Sequence, residues 1–334
     1  LPQKERAMVS VPQQAGARVT PATMKVAAVF QTDEAGKGST ALSFHREGSY
    51  LMSCGSDGSV RLIDASTGSL RKTVHCKKYG VGAACFAHHV TAVLHAGSPE
   101  LGSFAGGSFS SSSSSPSSPG GGRSATEAFA IRYLSLHDNK YLRTFRGHEG
   151  RVVSLSTHPG NDLFFSAGDD DKVAIWDVGS SQKGALAALD VSEAGLTSPR
   201  VDVAQDGLVF AVLGAARPGT YGSFGKIQLF DTRNYERGPF ATMALRKAHV
   251  LDAVAESGTS SRGEDLRPTL VDRLSRATLT GVETSRDGEL LLIKTDCAAH
   301  LVYDAFEGDP VAVLFDDDAT FTTGAGVARA ASGF

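Results

Sequence analysis

Three consecutive aspartates, Asp169, Asp170 and Asp171, are the first residues in this chain whose type and spacing could do chemistry. They stand in the stretch LFFSAGDDDKVAIWDV (163–178), which also holds the only tryptophan, Trp176. Adjacent carboxylates could bind a cation, or they could form a tight turn between two strands. Neither a glycine at the calcium-loop spacing nor a distant bidentate glutamate follows. We therefore interpret the triplet as a turn.

Other patterns that could support catalysis or metal binding are incomplete. AGKGST (35–40) resembles a phosphate-binding loop, but the earlier glycine and the following helix are missing. His88 and His89 are adjacent, so on a strand they point to opposite faces and cannot easily share a metal. The sequence contains no G-x-S-x-G elbow and no H-E-x-x-H motif. We predict no catalytic residue, no metal site and no cofactor.

The composition argues against further classes of protein. Lys and Arg number 33 against 36 Asp and Glu, a net charge of −3, so duplex nucleic acid is not an expected partner. No apolar run approaches the ~20 residues of a membrane-spanning helix. The sequence has no C-x-x-C pair, which argues against zinc and predicts free thiols in a reducing compartment. The cysteines concerned are Cys54, Cys76, Cys85 and Cys297.

The elements that would position these residues are short strands. From Lys25 onward, short apolar runs alternate with Gly, Asp, Asn and Ser, which is typical of many short strands joined by turns. Residues 1–23 are polar and predict a disordered tail. Three low-complexity or flexible insertions interrupt the pattern, at 97–126, 214–225 and 246–276, and we expect mobility across at least residues 252–268.

The strand pattern repeats. SCGSDGSVRLIDASTG (53–68) aligns with SAGDDDKVAIWDVGS (166–180), which pairs Asp57 with Asp170 and Ile63 with Trp176. Three weaker copies are AIRYLSLHDNK (130–140), GKIQLFDTRN (225–234) and AAHLVYDAFEG (298–308). Without the three insertions the period is roughly 40–45 residues, that of a four-stranded propeller blade. Together with Gly147-His148, the tryptophan completes a G-H…W-D signature. The sequence predicts an all-β WD-repeat propeller.

This alignment assigns the aspartate a partner set. In such blades, an aspartate in the turn between the second and third strands bonds the backbone and the histidine. The histidine bonds a serine, and the serine bonds the indole N–H. Because an unpartnered buried polar group costs roughly 1–3 kcal/mol, the four residues are expected together. The predicted tetrad is His148, Ser166, Asp170 and Trp176, with Asp169 and Asp171 simply solvated.

Longer stretches resemble one WD-repeat family. AIRYLSLHDNKYLRTFRGHEGRVVSLSTHP (130–159), CKKYGV (76–81), RGPFAT (237–242) and YDAFEG (303–308) carry the likeness. They are similar to the small eukaryotic WD-repeat subunit shared by COMPASS-type histone H3 methyltransferase, RNA 3′-end processing and nuclear protein phosphatase 1 complexes. The likeness extends from about Lys25 to the C-terminus.

The resemblance implies a function. It implies a nuclear, non-catalytic scaffold that binds a histone methyltransferase catalytic subunit, a protein phosphatase 1 targeting subunit and the phosphorylated C-terminal tail of RNA polymerase II. It implies no sequence-specific nucleic-acid binding and no membrane. The alternative is a WD-repeat adaptor of another assembly, such as a ubiquitin ligase or an RNA-processing complex, because fold alone does not determine function.

The chain departs from this family in its insertions and its length. Family members are seven-bladed, whereas about five blades and a stub are predicted here, ending at ARAASGF (328–334). MKVAAVF (24–30) is expected to be the strand that closes the propeller, so its partner blade is expected to be absent. A truncated sequence and an error in the gene model both remain open as explanations.

A binding face can also be predicted. Loops between the second and third strands, and loops that lead into each blade, emerge on one side of a propeller, where all three insertions are expected. Basic and aromatic residues on this side could bind an acidic or phosphorylated peptide. They are Lys77, Lys78, Tyr79, Arg146 and Arg151. The alternative is ordinary solvated loop charge. The sequence HDNK (137–140), on the opposite side, fits a binding loop and a simple turn equally well.

Overall fold

A computed structural model of the chain describes residues 38–98, 125–181, 184–217, 223–256, 277–297, 299–316 and 325–327. The predicted tail (1–23) and closing strand (24–30) lie outside these residues, as do ARAASGF (328–334) and most of the first insertion. Within the described residues the protein forms five antiparallel sheets, each made of strands consecutive in sequence. This is the predicted all-β propeller, with five blades.

The strands of each blade run from the inner edge of the sheet to the outer edge. Blade one comprises β1 (Ser39–Phe44), β2 (Tyr50–Gly55), β3 (Ser59–Asp64) and β4 (Ser69–His75). Blade two comprises β5 (Ala84–Phe86), β6 (Ala92–Ala96), β7 (Ile131–Ser135) and β8 (Lys140–Phe145). Blade three comprises β9 (Val152–Thr157), β10 (Leu163–Gly168), β11 (Lys172–Asp177) and β12 (Ala187–Asp190).

The last two blades follow the same plan. Blade four comprises β13 (Leu196–Val203), β14 (Val209–Ala216), β15 (Gly225–Asp231) and β16 (Ala241–Leu245). Blade five comprises β17 (Leu279–Thr284), β18 (Leu290–Thr295), β19 (Ala299–Asp304) and β20 (Pro310–Asp316), with β21 (Ala325–Val327) paired antiparallel to β20. Short 3-10 turns lie at Val191–Ala194 and Tyr235–Arg237, and two α-helices are α1 (Ala125–Ala128) and α2 (Lys247–Glu256).

Apolar side chains pack between neighbouring blades. Each of the four junctions between the described blades contains one cluster of buried residues from both sheets. At the junction of blades two and three, Trp176 is 1% exposed and stacks on Phe164 with ring centroids 5.9 Å apart. Because both faces of a middle blade are buried, its central strands have few polar residues, which explains the apolar runs in the sequence.

An aspartate ends the third strand in four of the five blades, and it caps the turn that follows. The carboxylate accepts the backbone N–H two residues later at distances between 2.7 and 3.0 Å. The residues concerned are Asp64, Asp177, Asp231 and Asp304. Blade two has Ser135 at this position, whose hydroxyl accepts the amide of the third residue after it at 3.3 Å. The aspartate after Trp176 therefore serves the turn rather than the tryptophan.

Polar side chains link the innermost strands of successive blades. Asp202 on β13 accepts the hydroxyl of Ser156 on β9 at 3.0 Å, and the backbone N–H of Thr284 on β17 at 2.8 Å. Ser154 adds a bond from its hydroxyl to the carbonyl of Val201 at 2.9 Å. These bonds join blades three, four and five along the inner wall, where buried polar groups need such partners.

The second insertion begins later and ends earlier than the sequence predicted. Gly214 to Ala216 belong to β14, and Gly225 begins β15, so the second insertion is shorter than 214–225. A Cβ on Gly214 would lie 2.7 Å from the Cβ of Leu196, and one on Gly225 would lie 2.6 Å from Leu279 Cδ1. These glycines allow close packing of neighbouring strands, a use of glycine that resembles a loop in the sequence.

The third insertion contains a helix that sequence analysis missed. Helix α2 covers residues 247–256, and residues 257–276 lie outside the described part of the chain. The expected mobility of residues 252–268 stays a prediction. Val250 is fully buried in the cluster between blades four and five. A helix of ten residues is short for a recognisable apolar period, and its charged and polar residues obscure the buried position at Val250.

Candidate functional site

The four residues of the predicted tetrad lie in hydrogen-bonding contact. His148 lies in the β8–β9 loop, Ser166 on β10, Asp170 in the β10–β11 turn and Trp176 on β11. The Ser166 hydroxyl lies 2.7 Å from His148 Nε2, and the Trp176 indole N–H donates to the same oxygen at 2.8 Å. His148 Nδ1 lies 2.9 Å from Asp170 Oδ2. The arrangement ties the loop that enters blade three to its central turn.

The hydrogen bonds of the tetrad are all donated in the same direction, from Trp176 through Ser166 and His148 to Asp170. The Trp176 indole can only donate, so Ser166 accepts from it and gives its own hydroxyl proton to His148 Nε2. The remaining proton on His148 Nδ1 then points at the carboxylate of Asp170, which also accepts the backbone N–H of Glu149 at 2.9 Å. Burial acts to raise the pKa of Asp170, but these hydrogen bonds outweigh it and hold that pKa below its usual value.

Three members of this set have the bonding order of a serine hydrolase triad. Ser166 is 0% exposed, however, and its oxygen is already occupied by the indole N–H of Trp176. A substrate carbonyl cannot reach that oxygen without unpacking the junction of blades two and three. The set can hold two loops in a fixed relation, and it cannot act as a nucleophile in this conformation.

Glycines around the tetrad allow its parts to approach. A Cβ on Gly168 would lie 2.5 Å from Asp170 Oδ1 and 2.8 Å from His148 Nδ1. A Cβ on Gly150 would lie 2.7 Å from the backbone nitrogen of Asp170. These close approaches leave no room for a side chain, which explains the glycine two residues before Asp170 and the glycine in the β8–β9 loop.

The flanking aspartates are not merely solvated, contrary to the sequence prediction. Asp169 Oδ2 lies 3.2 Å from Nε of Arg151, which belongs to the loop that enters blade three. Asp171 has a left-handed φ of 57°, and its carboxylate accepts the backbone N–H of Ser198 at 2.9 Å. The turn needs three short acids because one bonds the histidine, one the entering loop and one the next blade.

The predicted binding residues lie on one side of the propeller, which we call the top face. It carries the turns between second and third strands and the loops that lead into each blade. Lys77, Lys78 and Tyr79 lie in the β4–β5 loop, and Arg146 and Arg151 lie in the β8–β9 loop. Lys78 Nζ lies 4.8 Å from the centre of the Tyr79 ring. A hydrogen bond from Lys78 is the main cause that lowers the pKa of Tyr79.

Two of these predicted cations are already paired with acids. Arg151 bonds Asp169 as described above, and Arg146 Nη2 lies 2.7 Å from Glu127 Oε2. Both arginine side chains remain about half exposed, at 50% for Arg146 and 48% for Arg151. The arginines are therefore less available to a ligand than the sequence alone implied. The side chains of Lys77 and Lys78 are exposed.

Sequence analysis missed a buried cation beneath this face. Arg132, on β7, is 1% exposed, and its guanidinium carbon lies 3.5 Å from the centre of the Tyr79 ring. It donates to the carbonyls of Ala130 at 2.9 Å and Glu127 at 2.7 Å. Burial lowers its pKa, while Tyr79 and Glu127 oppose that effect. The available signal was an arginine beside two apolar residues in AIRYLS, inside a run that otherwise predicts a buried strand.

His95 lies in the same layer as Arg132. The two are cross-strand neighbours on β6 and β7, and His95 is 0% exposed. Its Nε2 has no hydrogen-bond partner among the described residues. Burial, and to a lesser degree the charge of Arg132, lowers the pKa of His95 to about 4. The imidazole is therefore neutral at physiological pH, and its charge cannot add to the face.

The opposite side, or bottom face, carries the HDNK loop. Asn139 adopts a left-handed φ of 56°, and His137 Nδ1 lies 2.8 Å from Asp138 Oδ1. Lys72 of blade one donates to the carbonyl of His137 at 2.9 Å. The turn chemistry accounts for asparagine at this position, since asparagine tolerates the left-handed region.

Other candidate sites do not assemble in the described residues. No group of three or more His, Cys, Asp or Glu side chains there could hold a metal ion. His88 contacts the Asn161 carbonyl, whereas His89 lies 2.8 Å from the Thr91 hydroxyl, so the adjacent histidines have separate partners. All four cysteines are free of disulfides. Among the helices that the structure describes, none has the length and apolar character needed to span a bilayer.

Comparison with known proteins places this geometry in context. The family profile described as WD domain, G-beta repeat matches residues 139–177, which include the whole tetrad. A second profile, described as anaphase-promoting complex subunit 4 WD40 domain, matches residues 17–91. Among the described strands, the two matches cover β1 to β5 and β8 to β11.

Several curated proteins match most of the chain. WD repeat-containing protein 82 of Drosophila melanogaster is 29% identical over 291 residues, which is 86% of this chain and 69% of that protein. Protein ANTHESIS POMOTING FACTOR 1 of Arabidopsis thaliana is 30% identical over 286 residues, 86% of this chain and 67% of the relative. COMPASS component SWD2 of Saccharomyces cerevisiae is 26% identical over 269 residues, 80% and 62% of the two chains. The chain belongs to the family of small WD-repeat propeller proteins that includes WD repeat-containing protein 82 and the COMPASS component SWD2.

Proposed function

We propose that this protein is a non-catalytic scaffold subunit of a nuclear chromatin-modifying complex that contains a histone H3 methyltransferase. The observation that carries the proposal is the likeness, over 80% of the chain or more, to relatives that include a COMPASS component and WD repeat-containing protein 82. The fold supports it, because a propeller presents two loop-bearing faces and many short strand edges to several partners at once. The buried tetrad supports a structural rather than a chemical role for the most polar cluster.

The proposed partners are those that the family resemblance implies. They are the methyltransferase catalytic subunit, the targeting subunit of protein phosphatase 1 and the phosphorylated tail of RNA polymerase II. The last would dock on the top face, where Lys77 and Lys78 are exposed beside Tyr79. Phosphoserine carries about −1.5 to −2 charges near neutral pH, which suits a patch of lysine and arginine. Binding that tail would link histone methylation to transcription and its termination.

A second candidate function has a specific observation in its favour. Residues 17–91 match the WD40 domain of a subunit of the anaphase-promoting complex. The chain would then be an adaptor of a ubiquitin ligase, or of an RNA-processing assembly, and would use the same faces for other partners. The match covers only blade one and part of blade two, whereas the relatives named above match most of the chain, so we favour the first candidate.

Affinity purification of the tagged full chain from its source organism tests the choice between these assemblies. Co-purification of a histone methyltransferase catalytic subunit, or of a phosphatase targeting subunit, supports the first candidate. Recovery of ubiquitin-ligase subunits without either supports the second and overturns the first. Confinement of the tagged chain to the cytoplasm would also contradict a nuclear scaffold.

The top-face docking has its own test. Charge reversal of Lys77 and Lys78 to Glu should weaken binding of a synthetic phosphoserine peptide from the polymerase tail by at least about tenfold. Lys140→Glu is the matched control, because Lys140 is exposed on the bottom face. Equal effects of the two changes, measured by fluorescence anisotropy, would show that the peptide does not use the top face.

A further inference from the structure

One carboxylate on the top face lies between two arginines. Glu127, on α1, approaches Arg146 with Nε to Oε2 at 2.8 Å and approaches buried Arg132 with Nη2 to Oε1 at 3.6 Å. Its side chain is 26% exposed, so it is held at the surface rather than sealed in the core. Each oxygen faces a different guanidinium. This is the position that an anion would occupy if the carboxylate were absent.

The surroundings of this carboxylate are positively charged. The Tyr79 ring contacts Arg132 on one side, at 3.5 Å, and Lys78 at 4.8 Å. Lys77 is exposed next in sequence. Arg132 and Arg146 both approach Glu127, and Lys78 lies against the same Tyr79 ring as Arg132, so three cations are grouped with the one carboxylate of Glu127. The excess of positive charge favours a second or a stronger anion at the same place.

The backbone of the segment that carries Glu127 is hydrogen-bonded to Arg132. Helix α1 has four residues, Ala125–Ala128, and immediately precedes β7. Arg132 holds this segment through the carbonyls of Glu127 and Ala130. These backbone bonds do not involve the carboxylate, so the side chain of Glu127 can leave the arginines without breaking them.

We propose that Glu127 is an internal competitor that occupies the anion position of the top-face site, and that a phosphorylated serine peptide displaces it. This inference rests on the proposed docking of such a peptide. A phosphate group carries more charge than a carboxylate and offers three acceptor oxygens to Arg146 and the neighbouring lysines. Exchange of one anion for another leaves the buried charge of Arg132 compensated throughout, because an uncompensated buried cation is strongly unfavourable. Because Glu127 already occupies the position, a peptide that carries only carboxylates should not displace it.

Glu127→Gln tests the competitor directly in the full chain. The amide keeps the size of the side chain and removes its charge, so the phosphoserine peptide should bind about three- to tenfold more tightly than to the unchanged protein. The unphosphorylated peptide should gain little. Glu149→Gln is the matched control: Glu149 is exposed in the β8–β9 loop and pairs with Lys172 at 3.1 Å rather than with either arginine. It removes the same charge from the same face and should change affinity less than twofold.

A second variant distinguishes a change in peptide binding from a folding defect. Glu127→Asp retains the charge on a shorter side chain, so its affinity should lie between those of the unchanged protein and Glu127→Gln, with thermal unfolding unchanged. Equal gains from Glu127→Gln and Glu149→Gln, or no gain from Glu127→Gln in a protein that binds the peptide, would overturn the competitor and leave the docking face standing. Absence of peptide binding in the unchanged protein and all three variants would overturn the docking face itself. Peptide binding that appears only in Glu127→Gln would support both the competitor role of Glu127 and docking on the top face.

Discussion

Blades one and three have the same turn aspartate but use it differently. In blade three, Asp170 bonds a histidine 22 residues earlier in the chain, and the connection continues through Ser166 to Trp176. In blade one, Asp57 bonds only residues within four positions: it accepts from the backbone and hydroxyl of Ser59, at 2.9 and 2.6 Å, and from Arg61 at 2.7 Å. The aligned position of the tryptophan is isoleucine, which needs no polar partner.

The difference shows that the turn and the tetrad are separate requirements. Any blade needs an acceptor for the amides of its central turn, and an aspartate supplies it in both blades. Only a blade with a buried indole and a buried imidazole needs the longer chain of bonds, because those groups are expensive to bury unpartnered. Local bonds hold a hairpin, whereas the tetrad also fixes the loop that enters the blade.

The largest expected effect is a loss of stability, and it should be greater for Asp170→Ala than for Asp57→Ala. Asp170→Ala leaves His148 and the amide of Glu149 without an acceptor in a buried site, so we expect a loss of about 2–3 kcal/mol in the free energy of unfolding. Asp57→Ala should cost about 1 kcal/mol, because its partners are local and partly solvated. Urea unfolding of both variants, followed by circular dichroism, measures the difference. Equal losses would mean that the long-range bonds add nothing to the turn.

A second prediction uses pH to compare His148 and His95, two histidines that are buried in neighbouring blades. His148 has partners on both ring nitrogens, whereas Nε2 of His95 has none within the part of the chain that the structure describes. Burial holds the pKa of His95 near 4 in the folded chain, against about 6.5 when unfolded. The unfolded state therefore takes up a proton first, and stability that is complete above pH 6.5 is lost as the pH falls toward 4.

The size of that loss is about 2 kcal/mol between pH 6.5 and pH 5 from His95 alone. His95→Gln cannot titrate and should flatten the dependence of the unfolding free energy on pH over that interval. Asp170, whose pKa is lowered, contributes its own loss only below about pH 4. An unchanged slope in His95→Gln would assign the dependence to other groups.

A third prediction tests whether the tetrad acts as a unit. Trp176→Phe removes the indole N–H but keeps most of the stacking on Phe164, and should cost about 1–2 kcal/mol. Ser166→Ala removes the shared oxygen and should cost a similar amount. Because both changes break the same bond, the double variant should fall short of their sum by about 1 kcal/mol. Strict additivity would show that the two residues stabilise the blade independently. Ile63→Val, at the aligned position in blade one, is the control and should be additive with Ser53→Ala.

The smallest effect on stability is expected from shortening the connection between the second and third strands of blade two. This connection is much longer than the corresponding turn of blade three. Residues 103–124 lie outside the described part of the chain and are rich in Ser, Gly and Pro. Their deletion should change the free energy of unfolding by less than about 1 kcal/mol, because loop closure costs only ~0.6 kcal/mol per doubling of length. Differential scanning fluorimetry of the deleted and full chains is the measurement. Loss of folded protein would mean that the insertion packs on the propeller.

Phosphopeptide mapping of Ser115 and Ser118, each followed by proline, addresses a separate prediction that this segment is phosphorylated.

The sequence by itself determined the repeat, the blade type and the membership of the tetrad. Those features depend on residues at fixed offsets within one blade: a turn aspartate, a serine four positions before it and a tryptophan six positions after it. Hydrogen-bond chemistry then requires the set to be complete. The same local hydrogen bonding explains the aspartate at the end of the third strand in four of the five blades. Sequence analysis failed where the local signal was ambiguous, as at Gly214 and Gly225, since a glycine that permits close packing has the same letter as one in a loop.

Tertiary structure alone decided which charges meet. Glu127 and Arg146 are 19 residues apart, and Tyr79 contacts Arg132 across the junction of two blades. No periodicity predicts such pairs, because each depends on how two sheets pack and where a loop of variable length returns. Packing also decided that Arg132 is buried and that His95 is neutral. The predicted basic residues do lie on one face, but their pairing with acids, which sets what that face can bind, arises only when the blades come together.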